Sequence, residues 1–590
     1  MLGVTVLAMV GLGAQWNSPI TPSAAWKPQN IEAPIGNIFK LLLVAVGLPY
    51  FMLATNSTLT QAWFGRTYPQ RSPYALYALS NVGSLLGLIA YPFLVEPILS
   101  LKMQAWVWSG GFLVFAMLAG LVTIRSQRKT ASNAEPLIKT DPAEAAEPPT
   151  IPIQILWIAL SMTASALMLA VTNQITREVA PIPFLWILPL TIYLLSFILT
   201  FSGERWYSRP IYALFLVISA IGFLWAIFHS DGNFLWQIIL YSFALFVSVM
   251  VCHGELYRLR PTPVHLTRFY LLVSVGGALG GIAVSLIAPL IFDGYFELNV
   301  AYTLVFVLLA VLTFMRPTIE LKKPRLRFGH DVMIGAVALS LGLFTVYYVN
   351  AYHMDNLRLV ERNFYGIIRV QEINQEEPGK LANMMVHGIT VHGIQYLNEE
   401  MRALPTTYYT AESGVGLAIL NHPKYGNGMH LGMLGLGTGT LATYSTPGDD
   451  YRLYEINPVV MNLAEGEGDY FSFLANSKAN IHTVLGDARI SLERELAESG
   501  SNQFDLLVLD TFSSDAIPVH LVTSEAFEIY IRHLAPDGII AAHISNEHLD
   551  LRPVFYQLAQ ANNLKMVVIQ SPGNEDELSF PATWVLLARD

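Results

Sequence analysis

Cysteine and charge are both scarce in this sequence. The 590 residues include one cysteine, Cys252, which excludes an internal disulfide and a metal site built from cysteines. Charged residues make up 13% of the chain, whereas soluble proteins carry about 25%. The net charge of −10 gives no reason to expect nucleic acid as a partner, because phosphates select basic surfaces. With 53% hydrophobic residues, the missing charge predicts a large apolar part, and we expect no metal site.

The apolar residues are concentrated in residues 1–352, whereas residues 353–590 have an ordinary soluble composition. Stretches of about 20 apolar residues are long enough to cross a bilayer, and their repetition predicts a multi-pass α-helical membrane domain. The stretch at 1–14 is apolar but too short to cross alone. The predicted spans are 37–56, 75–95, 103–124, 153–173, 182–202, 210–229, 234–256, 266–292, 299–315 and 331–350.

The membrane part contains an internal repeat. The segment Leu76–Ala90 aligns with Phe269–Ala283, and a basic, proline-containing loop precedes each copy. We interpret residues 1–124 as a first repeat and 153–352 as a second repeat plus a final connecting span. The second repeat has more spans before its copy of the segment than the first, so we expect the first to be incomplete at its N-terminus. The resulting six-plus-six plan resembles major facilitator transporters.

The residues between the two repeats, 125–152, are rich in Ala, Pro, Glu and Lys, which predicts a disordered linker. Basic residues are concentrated in this linker and in alternate loops, which predicts that these segments are cytoplasmic. The last span then ends outside. We therefore expect an integral protein of a bacterial inner membrane, with the C-terminal domain on the outer face.

A few small and polar residues stand out in the spans. Gly276 and Gly280 have the spacing that favours close helix packing over a pore. Cys252, His253 and Glu255 lie near the end of a span, where an interfacial role is the simplest interpretation.

The soluble part begins with short strands and turns at 363–396, which predict a small β-subdomain within residues 353–420. Strands then alternate with helical segments in residues 421–590, which predicts an α/β Rossmann-like fold of the methyltransferase type. The last two strands leave no room for a crossover helix and should pair antiparallel. The predicted strands are 431–434, 451–456, 481–486, 504–510, 538–545, 564–570 and 583–589.

A glycine turn follows the first of these strands. Gly435, Gly437 and Gly439 come directly after an apolar run, a helix-like segment follows, and Glu455 lies about 20 residues on, which is the layout of a nucleoside pocket. Position 440 is threonine, so the dinucleotide pattern GxGxxG is not met. Glycines let the backbone approach a ligand closely, and a carboxylate at this place can accept both ribose hydroxyls.

Two further acids follow later strands. Asp510 ends a strand that looks buried, where an acid is costly unless it has a task. Asp487 follows Gly486 and precedes an apolar-periodic stretch, so it either caps that helix or faces a ligand.

These motifs together resemble spermidine synthases, and the membrane-fused branch of that family is the most similar. The match runs over about residues 363–570 and is carried by the glycine turn, Glu455 in YEINP, Gly486-Asp487-Ala488, and Asp510 at the end of FDLLVLD. The resemblance implies transfer of an aminopropyl group from decarboxylated S-adenosylmethionine to a small amine. The donor is a co-substrate, and no tightly bound cofactor is expected. A homodimer through the C-terminal domain is also consistent with the resemblance.

The resemblance assigns a role to each matching residue. The glycine turn would pass under the sulfonium-bearing part of the donor, and Glu455 would bind the ribose. Asp487 would accept from the adenine amino group, with Ala488 beside it. Asp510 would orient or deprotonate the attacking amine.

Three residues are candidates for the amine side of the pocket, where the sequence departs from the family's pattern. Asp515 is the second acid after the strand, but it stands later in the run than in the family. Gln395 corresponds loosely to the glutamine of the family's aspartate-glycine-x-x-glutamine stretch. Tyr409, with Tyr408 beside it, either lines the amine pocket or packs in the core.

Two other functions are compatible with the sequence. One is a transport or sensing protein whose outer domain binds a polyamine or nucleoside without chemistry, since adenosyl donors are made in the cytoplasm. The other is a methyltransferase that uses S-adenosylmethionine itself.

Overall fold

The fold is described by a computed structural model. It describes residues 2–16, 18–23, 26, 34–67, 74–132, 148–179, 185–228, 234–315, 323–352, 356–388, 390–511, 518–546, 549–574 and 577–589. The chain forms two compact units. One consists of Met1–Ile175 and Pro183–Val349, and the other consists of Thr176–Ile182 and Asn350–Asp590.

The first unit is built from α-helices, as the long apolar runs predict. Short π-helical turns interrupt or extend several of them. The helices are α1 (Leu2–Gln15), α2 (Pro34–Leu42), α3 (Leu48–Thr67), α4 (Tyr74–Ala90), α5 (Leu101–Ser132), α6 (Ile151–Asn173), α7 (Ile187–Ser202), α8 (Arg209–Phe228), α9 (Phe234–Arg258), α10 (Leu266–Ile282), α11 (Ala288–Ile291), α12 (Glu297–Met315) and α13 (Pro324–Tyr352).

Within the described residues, nine helical segments are long and apolar enough to cross a membrane, judged by length and composition. They correspond to nine of the ten predicted spans. The tenth, 182–202, is not among them, because its helix α7 has 16 residues. The nine segments are Ile35–Gln61, Leu76–Val95, Leu101–Arg125, Ile151–Thr176, Glu204–Phe228, Phe234–Arg258, Leu266–Ile291, Glu297–Met315 and Pro324–Tyr348.

Helices extend into both ends of the predicted linker, 125–152. Helix α5 continues to Ser132, and α6 begins at Ile151. The composition bias that predicted disorder therefore includes the end of a helix. Residues 133–147 of the predicted linker lie outside the described residues.

Helices α4 and α10, the two copies of the repeat, are each followed by a five-residue π-helical turn. In α10, a Cβ at Gly276 or Gly280 would clash with α6, so these glycines allow close helix packing, as predicted. The equivalent glycines of α4, Gly83 and Gly87, have open space in the same direction. The two copies of the repeat are therefore similar in sequence but differ in how closely they pack against neighbouring helices.

Glu255 is buried in the interior of the first unit. Arg209 donates two hydrogen bonds to its carboxylate, from Nε to Oε1 at 2.7 Å and from Nη2 to Oε2 at 2.6 Å. The Tyr207 hydroxyl donates to the same carboxylate at 2.8 Å. Both charged side chains are buried, so the pair satisfies two groups that would be costly to bury alone.

The second unit begins with the predicted small β-sheet. Its four antiparallel strands lie in the order in which they occur along the chain. The strands are β1 (Leu357–Asn363), β2 (Gly366–Ile373), β3 (Ala382–His387) and β4 (Thr390–Tyr396).

A seven-stranded mixed sheet follows, in the order β10-β11-β9-β8-β5-β6-β7. The last two strands pair antiparallel, as predicted. Buried side chains cover both faces of the sheet, which explains the continuous apolar runs of its central strands. The strands are β5 (His430–Leu434), β6 (Asp450–Glu455), β7 (Asn480–Leu485), β8 (Phe504–Leu509), β9 (Leu534–His543), β10 (Lys565–Ser571) and β11 (Ala582–Ala588).

The helices of this unit are short. The segment after the glycine turn, expected to be helix-like, is only a 3₁₀ turn, Thr440–Tyr444. The division into residues 353–420 and 421–590 stays a prediction. The helices are α14 (Gly414–Leu420), α15 (Pro458–Ala464), α16 (Ala488–Glu498), α17 (Ser524–His533) and α18 (Arg552–Ala561).

Candidate functional site

Three carboxylates meet at the carboxyl ends of neighbouring parallel strands. Glu455 is the last residue of β6, Asp487 follows β7, and Asp510 follows β8. All three line one cavity of about 200 Å³. This edge of a parallel sheet is where open α/β folds bind their ligands.

Gly435, Gly437 and Ala488 line the same cavity. Both glycines have positive φ, 87° at Gly435 and 56° at Gly437. A Cβ at Gly435 would clash with the carbonyl group of Asp510, and one at Gly437 would meet that of His392. The glycines therefore also let other parts of the chain approach the turn, in addition to leaving room for a ligand.

Glu455 is held by the backbone that surrounds it. Its Oε2 accepts the Leu436 N–H at 3.0 Å, and its Oε1 accepts the Asn457 N–H at 2.8 Å. Burial and the charge of Asp510 raise the pKa of Glu455, although the backbone N–H groups of Asn457, Leu436 and Ile456 act in the opposite direction. A carboxylate has about four acceptor positions, so Glu455 can still accept from a hydroxyl group of a ligand.

Asp487 has two partners already. Its Oδ1 accepts the Ile490 N–H at 2.9 Å and caps α16, which was one of the two roles left open by the sequence. Its Oδ2 lies 2.7 Å from His520 Nε2. Burial acts to raise the pKa of Asp487, but the hydrogen bonds from His520 and Ile490 outweigh it, so the pKa lies below its ordinary value.

Asp510 is the centre of a buried hydrogen-bonded group. The Tyr409 hydroxyl donates to its Oδ2, and His543 Nδ1 lies 3.0 Å from its Oδ1. Burial and the charge of Asp510 raise the pKa of Tyr409 well above its ordinary value, so the phenol remains a donor. These two contacts fix the orientation of the Asp510 carboxylate.

Two histidines from the small sheet complete the cavity wall. His387 ends β3 and His392 lies in β4, and both line the cavity. Burial and the nearby His387 lower the pKa of His392 to about 3. His392 is therefore neutral at physiological pH.

The other predicted site residues lie elsewhere. Tyr409 is buried in the core and reaches the cavity only through Asp510. Gly439 and Gln395 do not line the cavity: a Cβ at Gly439 would point at Leu474, and the Gln395 side chain binds Ser472. Asp515 lies outside the described residues.

A second cavity, of about 500 Å³, lies beside the first in the same unit. Tyr408, His543 and Ser545 form part of its wall, together with hydroxyl and amide side chains from the last two strands. His543 therefore contacts Asp510 of the first cavity on one edge and faces the second cavity with the other.

Sequence reasoning missed His543 and His520. The position of His543 at the carboxyl end of β9 was a usable signal, because it is the same position that Glu455 has in β6. His520 follows residues that show no periodic pattern, and no signal in the sequence pointed to it.

Part of the chain is similar in sequence to two known transferases. No family model matches the chain. It is 32% identical over 153 residues to the polyamine aminopropyltransferase of Vibrio vulnificus, covering 25% of this chain and 49% of that protein. It is also 32% identical over 127 residues to the N-terminal histidine N-methyltransferase of Emericella nidulans, covering 21% of each. The chain therefore spans about half of the first relative and about a fifth of the second.

Among solved structures, the spermidine synthase from Thermotoga maritima is similar, at 14% identity and a TM-score of 0.30. The likeness covers 40% of this chain and 73% of that one. The similarity to a polyamine aminopropyltransferase agrees with the resemblance seen in the motifs, and both sequence relatives are transferases.

Proposed function

We propose that the second unit is a spermidine synthase-like aminopropyltransferase, which uses decarboxylated S-adenosylmethionine and a small amine. The observation that carries the proposal is the convergence of Glu455, Asp487 and Asp510 on one cavity. In this proposal Glu455 binds the ribose, Asp487 and Ala488 bind the adenine, and Asp510 helps to orient the amine or to remove its proton. The partial similarity to a polyamine aminopropyltransferase supports it.

The charges of the site fit the chemistry. An alkylamine is mostly protonated at neutral pH and must lose a proton before its nitrogen can attack carbon. The new C–N bond forms as the C–S bond breaks, and the electron pair of that bond goes to sulfur. The products are methylthioadenosine, the aminopropylated amine and one proton. Asp510 would help to orient the attacking amine or to remove its proton, and no metal is needed because the leaving group is already cationic.

The test uses the full chain purified in detergent, decarboxylated S-adenosylmethionine and a panel of primary amines. We expect release of methylthioadenosine that depends on an amine and is abolished by Asp510→Asn. Glu498→Gln removes an exposed acid of α16 and should leave the rate unchanged. If the wild type binds the donor but releases no methylthioadenosine with any amine, aminopropyl transfer is excluded.

A second candidate is an S-adenosylmethionine-dependent methyltransferase. The similarity to a histidine N-methyltransferase favours it, and an adenosyl cavity with an acid for the ribose serves both reactions. The donor separates them: a methyltransferase releases S-adenosylhomocysteine from S-adenosylmethionine, whereas an aminopropyltransferase acts on the decarboxylated donor.

We also propose that the first unit anchors the protein in a bacterial inner membrane. The nine long apolar segments support insertion, and the loop charges favour an outer location for the second unit. Protease added to intact spheroplasts should then cleave the second unit. Cleavage only after the cells are lysed would put it in the cytoplasm, where adenosyl donors are made.

A further inference from the structure

His543 belongs to a chain of hydrogen bonds that runs from Asp510 to the second cavity. Its Nδ1 lies 3.0 Å from Asp510 Oδ1, and its Nε2 lies 2.8 Å from Ser545 Oγ. An ionised carboxylate only accepts, so Nδ1 must carry the proton. The lone pair of Nε2 therefore points to the Ser545 hydroxyl, which is the arrangement of a base oriented by a carboxylate.

The imidazole ring is fixed in this orientation. It stacks between Tyr408, at 4.3 Å between ring centroids, and Trp584, at 4.8 Å. Trp584 Nε1 in turn donates to the Tyr408 carbonyl oxygen at 3.2 Å. His543 is only 6% exposed, so the packing leaves the ring little freedom to turn away from Asp510.

The Ser545 hydroxyl has one acceptor position to spare. Its Oγ accepts the Thr583 N–H at 2.8 Å and donates its own proton to His543. A hydroxyl oxygen has two lone pairs, so the second can accept an N–H from a molecule in the 500 Å³ cavity, which Ser545 lines. The titratable groups that face His543 are Asp510, Tyr408 and, at longer range, His392.

We propose that His543 takes the proton of the acceptor amine, through the Ser545 hydroxyl, while Asp510 orients the imidazole and stabilises its positive charge. This inference rests on the proposed function and assigns the second cavity to the acceptor. The ammonium gives its proton to Ser545 Oγ as Ser545 gives its own to His543 Nε2. The neutral amine then attacks the donor carbon, and the imidazolium later releases the proton to solvent. An imidazole is a stronger base than a carboxylate, so it keeps a proton that Asp510 alone would return.

The test compares His543→Gln and Ser545→Ala with the wild type in the methylthioadenosine assay, over a range of pH. The maximal rate of the wild type should fall as the pH is lowered and the base becomes protonated. We expect kcat of His543→Gln to fall on the order of 10²-fold, with donor affinity unchanged. The decrease of the rate at low pH, the acidic limb of the pH profile, should disappear in this variant. Ser545→Ala should lose less, because water can replace the hydroxyl, and should keep the limb. His482→Gln, at an exposed position of β7, is the matched control.

A measurement on the wild type keeps the proposal testable if His543→Gln does not fold. The single-turnover rate is measured in mixtures of H₂O and D₂O. A plot of this rate against the deuterium fraction should be curved, because two protons move in the same step. A straight line, or a His543→Gln enzyme with the wild-type rate and acidic limb, overturns the relay and leaves aminopropyl transfer intact. If the wild type binds the donor and transfers nothing to any amine, the proposed function fails and the relay fails with it.

Discussion

Replacement of Glu455 by glutamine should weaken donor binding more than any other single change in the first cavity. The side chain keeps its size but loses its charge and one acceptor oxygen. Two backbone N–H groups bind different oxygens of the carboxylate, so the amide NH₂ must face one of them. A buried N–H left without an acceptor costs about 1–3 kcal/mol of folding free energy.

The loss of donor affinity is estimated separately. A hydrogen bond from a ribose hydroxyl to a carboxylate contributes about 1.5–3 kcal/mol. At about 1.4 kcal/mol for each factor of ten, loss of one such bond weakens binding by about 10- to 150-fold. Isothermal titration of the full chain with decarboxylated S-adenosylmethionine measures this directly, with Glu498→Gln as the control.

The pH dependence gives an independent check. Because burial and Asp510 raise the pKa of Glu455 in the folded protein, the carboxyl group contributes stability at pH values below its unfolded pKa. This contribution is lost as the pH rises through the folded pKa. Donor affinity changes in the opposite direction, because only the ionised form accepts both ribose hydroxyls. Both dependences should disappear in Glu455→Gln. An unchanged dissociation constant in this variant would refute the assignment of the ribose to Glu455.

Asp510→Asn should reduce the rate of methylthioadenosine release by about 10²- to 10⁴-fold with little change in donor affinity; equal rates would contradict its role at the amine. Gly276→Ala should lower the thermal stability of the detergent-purified protein, because its Cβ would clash with the neighbouring helix, whereas Gly83→Ala should not, because its Cβ meets open space. If the two alanine substitutions lowered the stability equally, α4 and α10 would not differ in how closely they pack against their neighbours. Glu255→Met or Arg209→Met alone should cost about 3–5 kcal/mol, and the double variant much less. A double-variant loss equal to the sum of the two single losses would contradict a direct buried pair.

The sheet of the second unit could be predicted because its local signals agree. The apolar runs predicted the strands. The short segment between 570 and 583 predicted that the last two strands pair antiparallel. The acids at the strand ends predicted three of the residues that line the first cavity. Strand-end position is a strong guide because parallel strands bring their carboxyl ends to the same edge.

Contacts between distant segments could not be predicted. The bond between Tyr409 and Asp510 and that between His543 and Asp510 join residues far apart in the chain. Gln395 was assigned from a loose motif, and its side chain instead binds Ser472. The repeat gave α4 and α10 similar sequences, but packing depends on the helix that each one meets, which the repeat does not specify.

Mass spectrometry of the acceptor after incubation with the full chain and decarboxylated S-adenosylmethionine tests the central claim most directly. We expect an amine that has gained an aminopropyl group, in an amount equal to the methylthioadenosine released. An amine that gains only a methyl group from S-adenosylmethionine, or that stays unmodified with both donors, would contradict the claim.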